Sequence, residues 1–444
     1  MMRCSVIGFF GGLLLLFGCS EKSNPNYTPN IKEWNDVLTK VIMEDVFTPP
    51  VSARIYAYSN LAAFEILRQE QDSIGSFAKV IKGFPSIVSP SDPIDFKISS
   101  LVAYCTVSEF LVLDKARMNI SEHHKMTDYF EGEVEKLIEE GFDQDIINSS
   151  INYGQEVAKE IIKWTKSDHY KQRSYPIFKV VDTLGGWKPT PPSFLPAVEP
   201  NWNTVRTFFI DSADQFNISK YNTPFDIDPN STFYKEAYAV YNSVKQVDSN
   251  RVAIAKYWDC NPNVVIGYSG NIKLWSQKIS PGGHWISIAS QACEQYNLSL
   301  TATSFIVSSV AMSLHDAFVS CWDMKYKTNL IRPETYIRQY IDPEWVPILE
   351  TPAFPEHTSG HSVVSTAAAT ILTSLIGDNM EFTDATEEFF GMPSKTFPSF
   401  YAASEEAAIS RFYGGIHYLP AAEKGKSQGK ELGNYVTKKI SLLY

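Results

Sequence analysis

The stretch Leu298–Pro333, LSLTATSFIVSSVAMSLHDAFVSCWDMKYKTNLIRP, decides the fold. Its first part, Leu298–Asp323, is mostly apolar with small residues and reads as a central helix. The stretch then turns basic. Lys325 and Arg332 stand seven residues apart, two helical turns, so a continuing helix places both cations on one face. Pro333 is expected to stop that helix, and Trp322 and Asp323 to brace the lysine.

Outward from this segment the pattern stays helical. Arg54–Arg68 (RIYAYSNLAAFEILR) is helix-forming and nearly apolar all round, as a buried helix is. Phe130, Val134, Leu137 and Ile138 recur with helical spacing up to Gly141, and Val157, Ala158, Ile161, Ile162 and Trp164 mark another amphipathic helix. Ser362–Leu375 repeats Val363, Ala367, Ile371 and Leu375 every fourth residue. Ala402–Phe412 and Ala421–Leu442 close the chain as helices. Strand-like alternation is rare and brief, so the fold class is all-α, a helical bundle. Residues 170–231 differ: Pro176, Pro189, Pro191, Pro192, Pro196 and Pro200 exclude long helices there. That segment is either a linker or a long ordered excursion around the bundle, and Trp187 and Trp202 favour the excursion.

The chain has 444 residues and a net charge of −11. That balance argues against a nucleic-acid partner, which needs a broad basic surface. At the N-terminus, Arg3 precedes an apolar run, Val6–Phe17, too short to span a bilayer and typical of a secretory leader. The run ends in Leu16-Phe17-Gly18-Cys19, which resembles a bacterial lipobox. The expectation is a signal peptide over 1–18, lipidation at Cys19, a tether over 19–30, and an exported, outer-membrane-anchored lipoprotein with no transmembrane helix in the mature chain. Cys105, Cys260, Cys293 and Cys321 remain, with no CxxC spacing. They suit either disulfides or buried free thiols.

Two further short segments accompany Lys325 and Arg332. One is Ser359-Gly360-His361, just before an apolar helical run, where Ser359 can cap the helix and the Gly360 amide can meet an anion. The other is Ser410-Arg411 followed by His417, with Gly414-Gly415 between them to turn the chain back toward the same centre. One Lys, two Arg, a Ser hydroxyl, a Gly backbone and two His form a donor shell without carboxylates, suited to a phosphate- or vanadate-like anion.

K-x6-RP, then SGH, then SR-x5-H resembles the signature shared by type 2 phosphatidic-acid phosphatases, bacterial acid phosphatases and vanadium-dependent haloperoxidases. Ser313–Pro333, Thr351–Ala367, Pro281-Gly-Gly-His-Trp285, Glu199-Pro-Asn-Trp202 and the helix Ala53–Leu67 look like the soluble haloperoxidase branch. The resemblance implies one helical domain over 31–444, its core mainly 298–442, wrapped by the Pro-rich segment. It also implies roles. Lys325, Arg332 and Arg411 neutralise the equatorial oxygens of the anion, with hydrogen bonds from Ser359 and Gly360. His417 lies on its axis, as ligand to vanadium or nucleophile to phosphorus, and His361 is the acid-base residue. The family places Asp four residues after the axial His; here that position is Ala421, and Glu423 or a backbone carbonyl is the expected substitute. The reading that follows is a vanadium-dependent haloperoxidase-like enzyme with vanadate as cofactor. The alternatives are a periplasmic or surface phosphomonoesterase that works through a phospho-His and needs no cofactor, and a non-catalytic anion-binding lipoprotein. In each case the partner is a small anion or phosphoester, and the membrane is met only through the lipid anchor.

Overall fold

The computed structural model describes residues 25 and 27–444, apart from 71–72, 114–124, 219–222, 263 and 270–271. The expected signal peptide and Cys19 lie outside the described residues. The helices, in chain order, are α1 (Ile31–Glu44), α2 (Pro49–Leu67), α3 (Phe96–Leu113), α4 (Lys125–Glu139), α5 (Gln144–Thr165), α6 (Thr232–Lys245), α7 (Ser249–Tyr257), α8 (Pro281–Gln295), α9 (Leu300–Thr328), α10 (Pro333–Tyr340), α11 (Gly360–Ile376), α12 (Phe400–Tyr413) and α13 (Leu419–Ile440). Two short antiparallel pairs complete the described elements: β1 (Val265–Ser269) with β2 (Ile272–Trp275), and β3 (Phe382–Asp384) with β4 (Lys395–Phe397). The all-α reading holds.

Helix α9 is central because its sequence leaves it no wet face. It is buried from Ser304 through Lys325 and packs against α2 and α8 on one side and α11 and α13 on the other. Helix α2 is buried along all 19 positions, as its composition requires. Its polar side chains are satisfied inside: Arg54 pairs with Asp168 at 2.7 Å, and Glu65 accepts the Phe77 amide at 2.8 Å. By length and composition α3 and α9 could each cross a membrane, but α9 is wholly covered by protein and α3 largely so. Cys105, Cys260, Cys293 and Cys321 are buried free thiols.

The end of α9 departs from expectation. The helix stops at Thr328, because Asn329 takes the left-handed conformation, φ 47° and ψ 35°. The next residues pair with the Pro-rich segment: Trp187 donates to the Asn329 carbonyl at 2.8 Å, and Ile331 to that of Gly185 at 2.9 Å. Pro333 therefore starts a helix rather than stopping one, with Arg332 as the residue before its first turn. Lys325 and Arg332 do not share a helical face. Asp323 does not brace Lys325 either; it accepts from Asn203 at 2.8 Å and Asn217 at 2.6 Å, and pairs with Lys327 at 2.7 Å.

Residues 170–231 form the ordered excursion. Among the described residues its helical turns are short 3-10 pieces, Gln172–Ser174 and Trp202–Thr204, yet Trp187, Trp202, Val205, Phe208, Phe209 and Ile210 are buried. Asp316, on α9, holds the segment down. Its carboxylate accepts the backbone N–H groups of Phe208, Phe209 and Ile210 at 2.8, 2.7 and 3.0 Å. Burial pushes its pKa up to about 7, against those three bonds.

The closest helix crossing positions the SGH turn. Gly425, Gly429 and Gly433 line one stripe of α13 against α11. A Cβ at Gly429 would lie 2.3 Å from the Val363 carbonyl, and one at Gly425 would lie 2.9 Å from the Ser359 carbonyl. Both contacts are with backbone, which cannot swing aside. Gly429→Ala is therefore expected to destabilise the protein by about 1–3 kcal/mol through overpacking, read as a lower thermal midpoint. An unchanged midpoint would show that α11 and α13 can separate at no cost.

Candidate active site

Four pieces of chain meet at the C-terminal end of α9. Helix α9 brings Lys325 on its last turn, and the following turn brings Arg332. Ser359 caps α11, accepting the Ser362 amide at 3.4 Å, so Gly360 is the first helical residue and His361 follows it. Arg411 ends α12. The chain then turns back through Gly415 at φ +79°, and the Ile416 amide bonds to the Arg411 carbonyl at 3.2 Å, which delivers His417 to the same centre. Lys325, Arg332, Glu356, Ser359, Arg411 and His417 are all at most 2% exposed.

His417 is held from both ring nitrogens. Nδ1 meets Glu356 Oε1 at 2.8 Å, and Nε2 lies 3.1 Å from Arg332 Nη1. The carboxylate takes the ring proton on Nδ1, so Nε2 carries the lone pair and accepts from the guanidinium. Glu356 Oε1 also accepts the Tyr418 amide at 3.0 Å. Burial first, then the charges of Arg332, Lys325 and Arg411, push the His417 pKa well below the ordinary histidine value. The imidazole is thus neutral, with its Nε2 lone pair facing the Arg332 guanidinium. Glu356 itself is raised to about 7 by burial, against the pull of Arg332 and Lys325.

This corrects the expected shell in two ways. The shell does contain a carboxylate, Glu356. Neither Glu423 nor a backbone carbonyl takes the place of the missing Asp. Glu423 points to solvent and pairs with Lys426 at 2.9 Å, while Ala421 is buried and its carbonyl accepts the Ser359 amide at 3.2 Å. The signal for Glu356 in the sequence is weak. It lies 61 residues before His417, three before Ser359, and only the fold places it opposite the ring.

The cations are disposed unequally. Lys325 Nζ donates to the carbonyls of Pro355, Glu356 and Thr358 at 3.1, 3.1 and 2.5 Å, so all three of its N–H groups are engaged with the loop that carries Glu356. Desolvation lowers its pKa to about 7. Arg332 donates from Nε to the Phe354 carbonyl and from Nη1 to that of Ile416, both at 2.8 Å, while its Nη2 is buried without a partner. Arg411 donates from Nε to Ser410 Oγ at 3.1 Å and from Nη2 to the Ala255 carbonyl at 3.0 Å. His361 Nε2 is likewise buried and unpartnered, and desolvation lowers that ring's pKa well below the ordinary value. Trp322 and Phe354 wall the site, with Lys325 Nζ 4.9 Å from the Phe354 ring centroid.

Gly360, His361, Arg411 and His417 line one cavity with Phe318, Trp322 and Phe354. Its volume is about 30 Å³, counted as space open to the centre of a water-sized sphere. At roughly 10–15 Å³ per water, that is room for about two waters before any side chain moves.

Comparison with known proteins fits this geometry. Residues 305–444 match the family model described as the VCPO second helical-bundle domain. A bacterial vanadium-dependent iodoperoxidase of known crystal structure is 38% identical, over 94% of this chain and 98% of that one, with a TM-score of 0.85. A holo-type bacterial vanadium-dependent chloroperoxidase superposes with a TM-score of 0.68 at 15% identity, over 94% and 98% of the two chains. Its apo-type counterpart gives 0.67 at 14%, over 89% and 94%. Curated proteins gave no match. At this identity and coverage, carried by the same helices that assemble the cationic cavity around His417, the chain belongs to the vanadium-dependent haloperoxidase family.

Proposed function

We propose that the cavity holds orthovanadate on His417 Nε2 and that the protein oxidises a halide at the expense of peroxide, with net consumption of one proton: halide, hydrogen peroxide and a proton give hypohalous acid and water. The observation that carries this reading is a pair of buried, unpartnered nitrogens in one cationic site. Arg332 Nη2 and His361 Nε2 both lack a protein partner, beside a small cavity lined by His361, Arg411 and His417, where the His417 Nε2 lone pair faces the Arg332 guanidinium. A buried guanidinium N–H left unbonded costs about 1–3 kcal/mol or more, and a bound oxyanion removes that cost. The residues present fit the group.

Bound vanadate supplies a Lewis-acidic centre that activates peroxide toward a halide nucleophile. The chain's own residues do the rest. Glu356 keeps the proton on His417 Nδ1 and so keeps Nε2 a donor of its lone pair. Arg332 and Arg411 offset the negative charge of the anion, helped by the Gly360 amide at the start of α11. Lys325 acts through its charge and by pinning the 355–358 carbonyls that place Glu356. His361, kept neutral by desolvation, accepts a proton at Nε2 and returns it to the departing oxygen. The hydrophobic wall of Trp322, Phe318 and Phe354 excludes bulk water, so these charges act at low dielectric.

The deciding experiment loads the protein with orthovanadate and follows peroxide-dependent halogenation of a reporter, with iodide first because the 38%-identical relative is an iodoperoxidase. Vanadate-dependent turnover is the expected result. Absence of turnover with vanadate demonstrably bound, together with phosphate release from a chromogenic ester without vanadate, would overturn the reading in favour of a phosphatase.

Two narrower outcomes follow from the geometry. Glu356→Gln removes the carboxylate that fixes the His417 tautomer, so vanadate affinity is expected to fall by about 10- to 100-fold with the fold intact, as loss of an orienting partner does. A variant that binds vanadate as tightly as the parent would show that Glu356 only packs. The second outcome concerns pH. Desolvation holds the Lys325 pKa at about 7, below its ordinary value. The bound anion favours its charged form. Below pH 7 that form is already present; above it, binding must take up a proton. Vanadate affinity should therefore weaken as pH rises above about 7, more steeply in the parent than in Lys325→Met, which cancels the ligand's own ionisation. Equal pH slopes in the two proteins would remove Lys325 from the charge count.

A further inference from the structure

We propose that Cys260, His284 and Glu387 form a second site, beside the first, one that binds a divalent transition metal ion of zinc-like preference. The three ligand atoms come from separate parts of the chain. Cys260 follows α7, His284 sits in the first turn of α8, and Glu387 lies in the 3-10 turn Thr386–Phe390. The cluster is buried, and its potential ligand atoms all lie within 4.8 Å of one another.

The spacing is that of a coordination shell. A tetrahedral zinc with Zn–S near 2.3 Å and Zn–N or Zn–O near 2.0–2.1 Å sets sulfur about 3.5 Å from nitrogen and nitrogen about 3.3 Å from oxygen. Here Cys260 Sγ is 3.3 Å from His284 Nδ1, and Glu387 Oε1 is 3.2 Å from the same nitrogen. Without a metal the ring pairs with Asp384 through Nε2 and with Glu387 through Nδ1, which leaves the Cys260 sulfur over. Nδ1 carries at most one hydrogen, yet a sulfur and a carboxylate oxygen both converge on it. One cation between the three atoms satisfies all of them.

The surroundings complete the argument. The other ring nitrogen, Nε2, meets Asp384 Oδ2 at 2.7 Å, the carboxylate–histidine arrangement that fixes tautomer and ring orientation behind metal-bound imidazoles. Asp384 is itself fixed, accepting the Tyr257 hydroxyl at 2.9 Å and the Thr386 amide at 3.0 Å. The Trp258 ring stacks on His284 at 4.7 Å between centroids and 20° between planes. Thiolate, imidazole and carboxylate together select zinc, cobalt or a similar borderline ion over calcium or magnesium. Cys260 also lines the cavity shared with His361 and Arg411, which gives an ion a way in. The ligand set leaves a fourth position for water or another small donor.

The test uses the full-length protein, purified without chelator from zinc-supplemented cells, and needs no turnover. Elemental analysis is expected to find about one zinc per chain. Cys260→Ser and Glu387→Gln should lose it, Asp384→Asn should weaken it by about 10- to 100-fold, and Cys105→Ser should keep it. Cobalt(II) substitution provides an independent readout on the unmutated protein, a thiolate-to-cobalt charge-transfer band in the near ultraviolet, so the proposal stays testable even if Cys260→Ser fails to fold. A folded parent that takes up neither zinc nor cobalt overturns the site. So does zinc that survives both Cys260→Ser and Glu387→Gln, since it then lies elsewhere. Vanadate binding at His417 is measured separately, so failure of one reading leaves the other standing.

Discussion

Three cations buried around one small cavity are the constraint on which the rest of the structure depends. Lys325, Arg332 and Arg411 are all at most 1% exposed, and stripping a charged group of water costs several kcal/mol unless something replaces that water. The replacement here is mostly backbone. Six carbonyls, from Phe354, Pro355, Glu356, Thr358, Ile416 and Ala255, accept from the three side chains. Five of the six come from irregular chain and the sixth, Ala255, from the last turn of α7, since the carbonyls of a helix interior are already used. The non-helical stretches 341–359 and 414–418 thus serve as a solvation shell for charge. The rigid helices behind them keep that shell from relaxing.

Glu356 is the carboxylate that touches His417. It fixes the proton on Nδ1 while burial and the surrounding cations hold the ring neutral, so Nε2 keeps its lone pair. Its loop is in turn held by Lys325, whose three N–H groups all point at it. Lysine, loop, carboxylate and imidazole therefore form a chain of dependence. The lysine influences His417 Nε2 without touching it. A change at Lys325 reaches His417 even before any effect on bound anion is considered.

Much of the fold could be read from residue pattern, because the long helices are dictated by periodicity and by burial on every side. Helix α2 and helix α11 appear within a few residues of where Arg54–Arg68 and Ser362–Leu375 place them, extended at their ends by capping residues and proline. The end of α9 was not legible. Nothing near Asn329 marks a left-handed residue as surely as glycine would, and the partner that stabilises the break, Gly185–Trp187, lies over 140 residues away. Site residues divide in the same manner. Lys325, Arg332, Ser359, Gly360, His361, Arg411 and His417 were visible as motifs because local spacing carries them. Glu356 was not, because its role rests on a long-range contact that local spacing does not encode.

That the carboxylate partner of His417 precedes it by 61 residues, with Ala at position 421, has a structural corollary. With Ala at 421, the start of α13 is small and buried, and its carbonyl is free to accept the Ser359 amide. That bond ties the first turn of α13 to the turn that opens α11, the two helices already drawn together by the glycine stripe. An aspartate at 421 would bring a second buried carboxylate into a shell that already holds one, and like charges at close range would raise the pKa of both. Moving the acid to the 355–358 loop separates two tasks: α13 packs, and the loop orients the imidazole. The geometry of the histidine is then set by the most heavily hydrogen-bonded loop in the site rather than by the end of a helix, where backbone frays first.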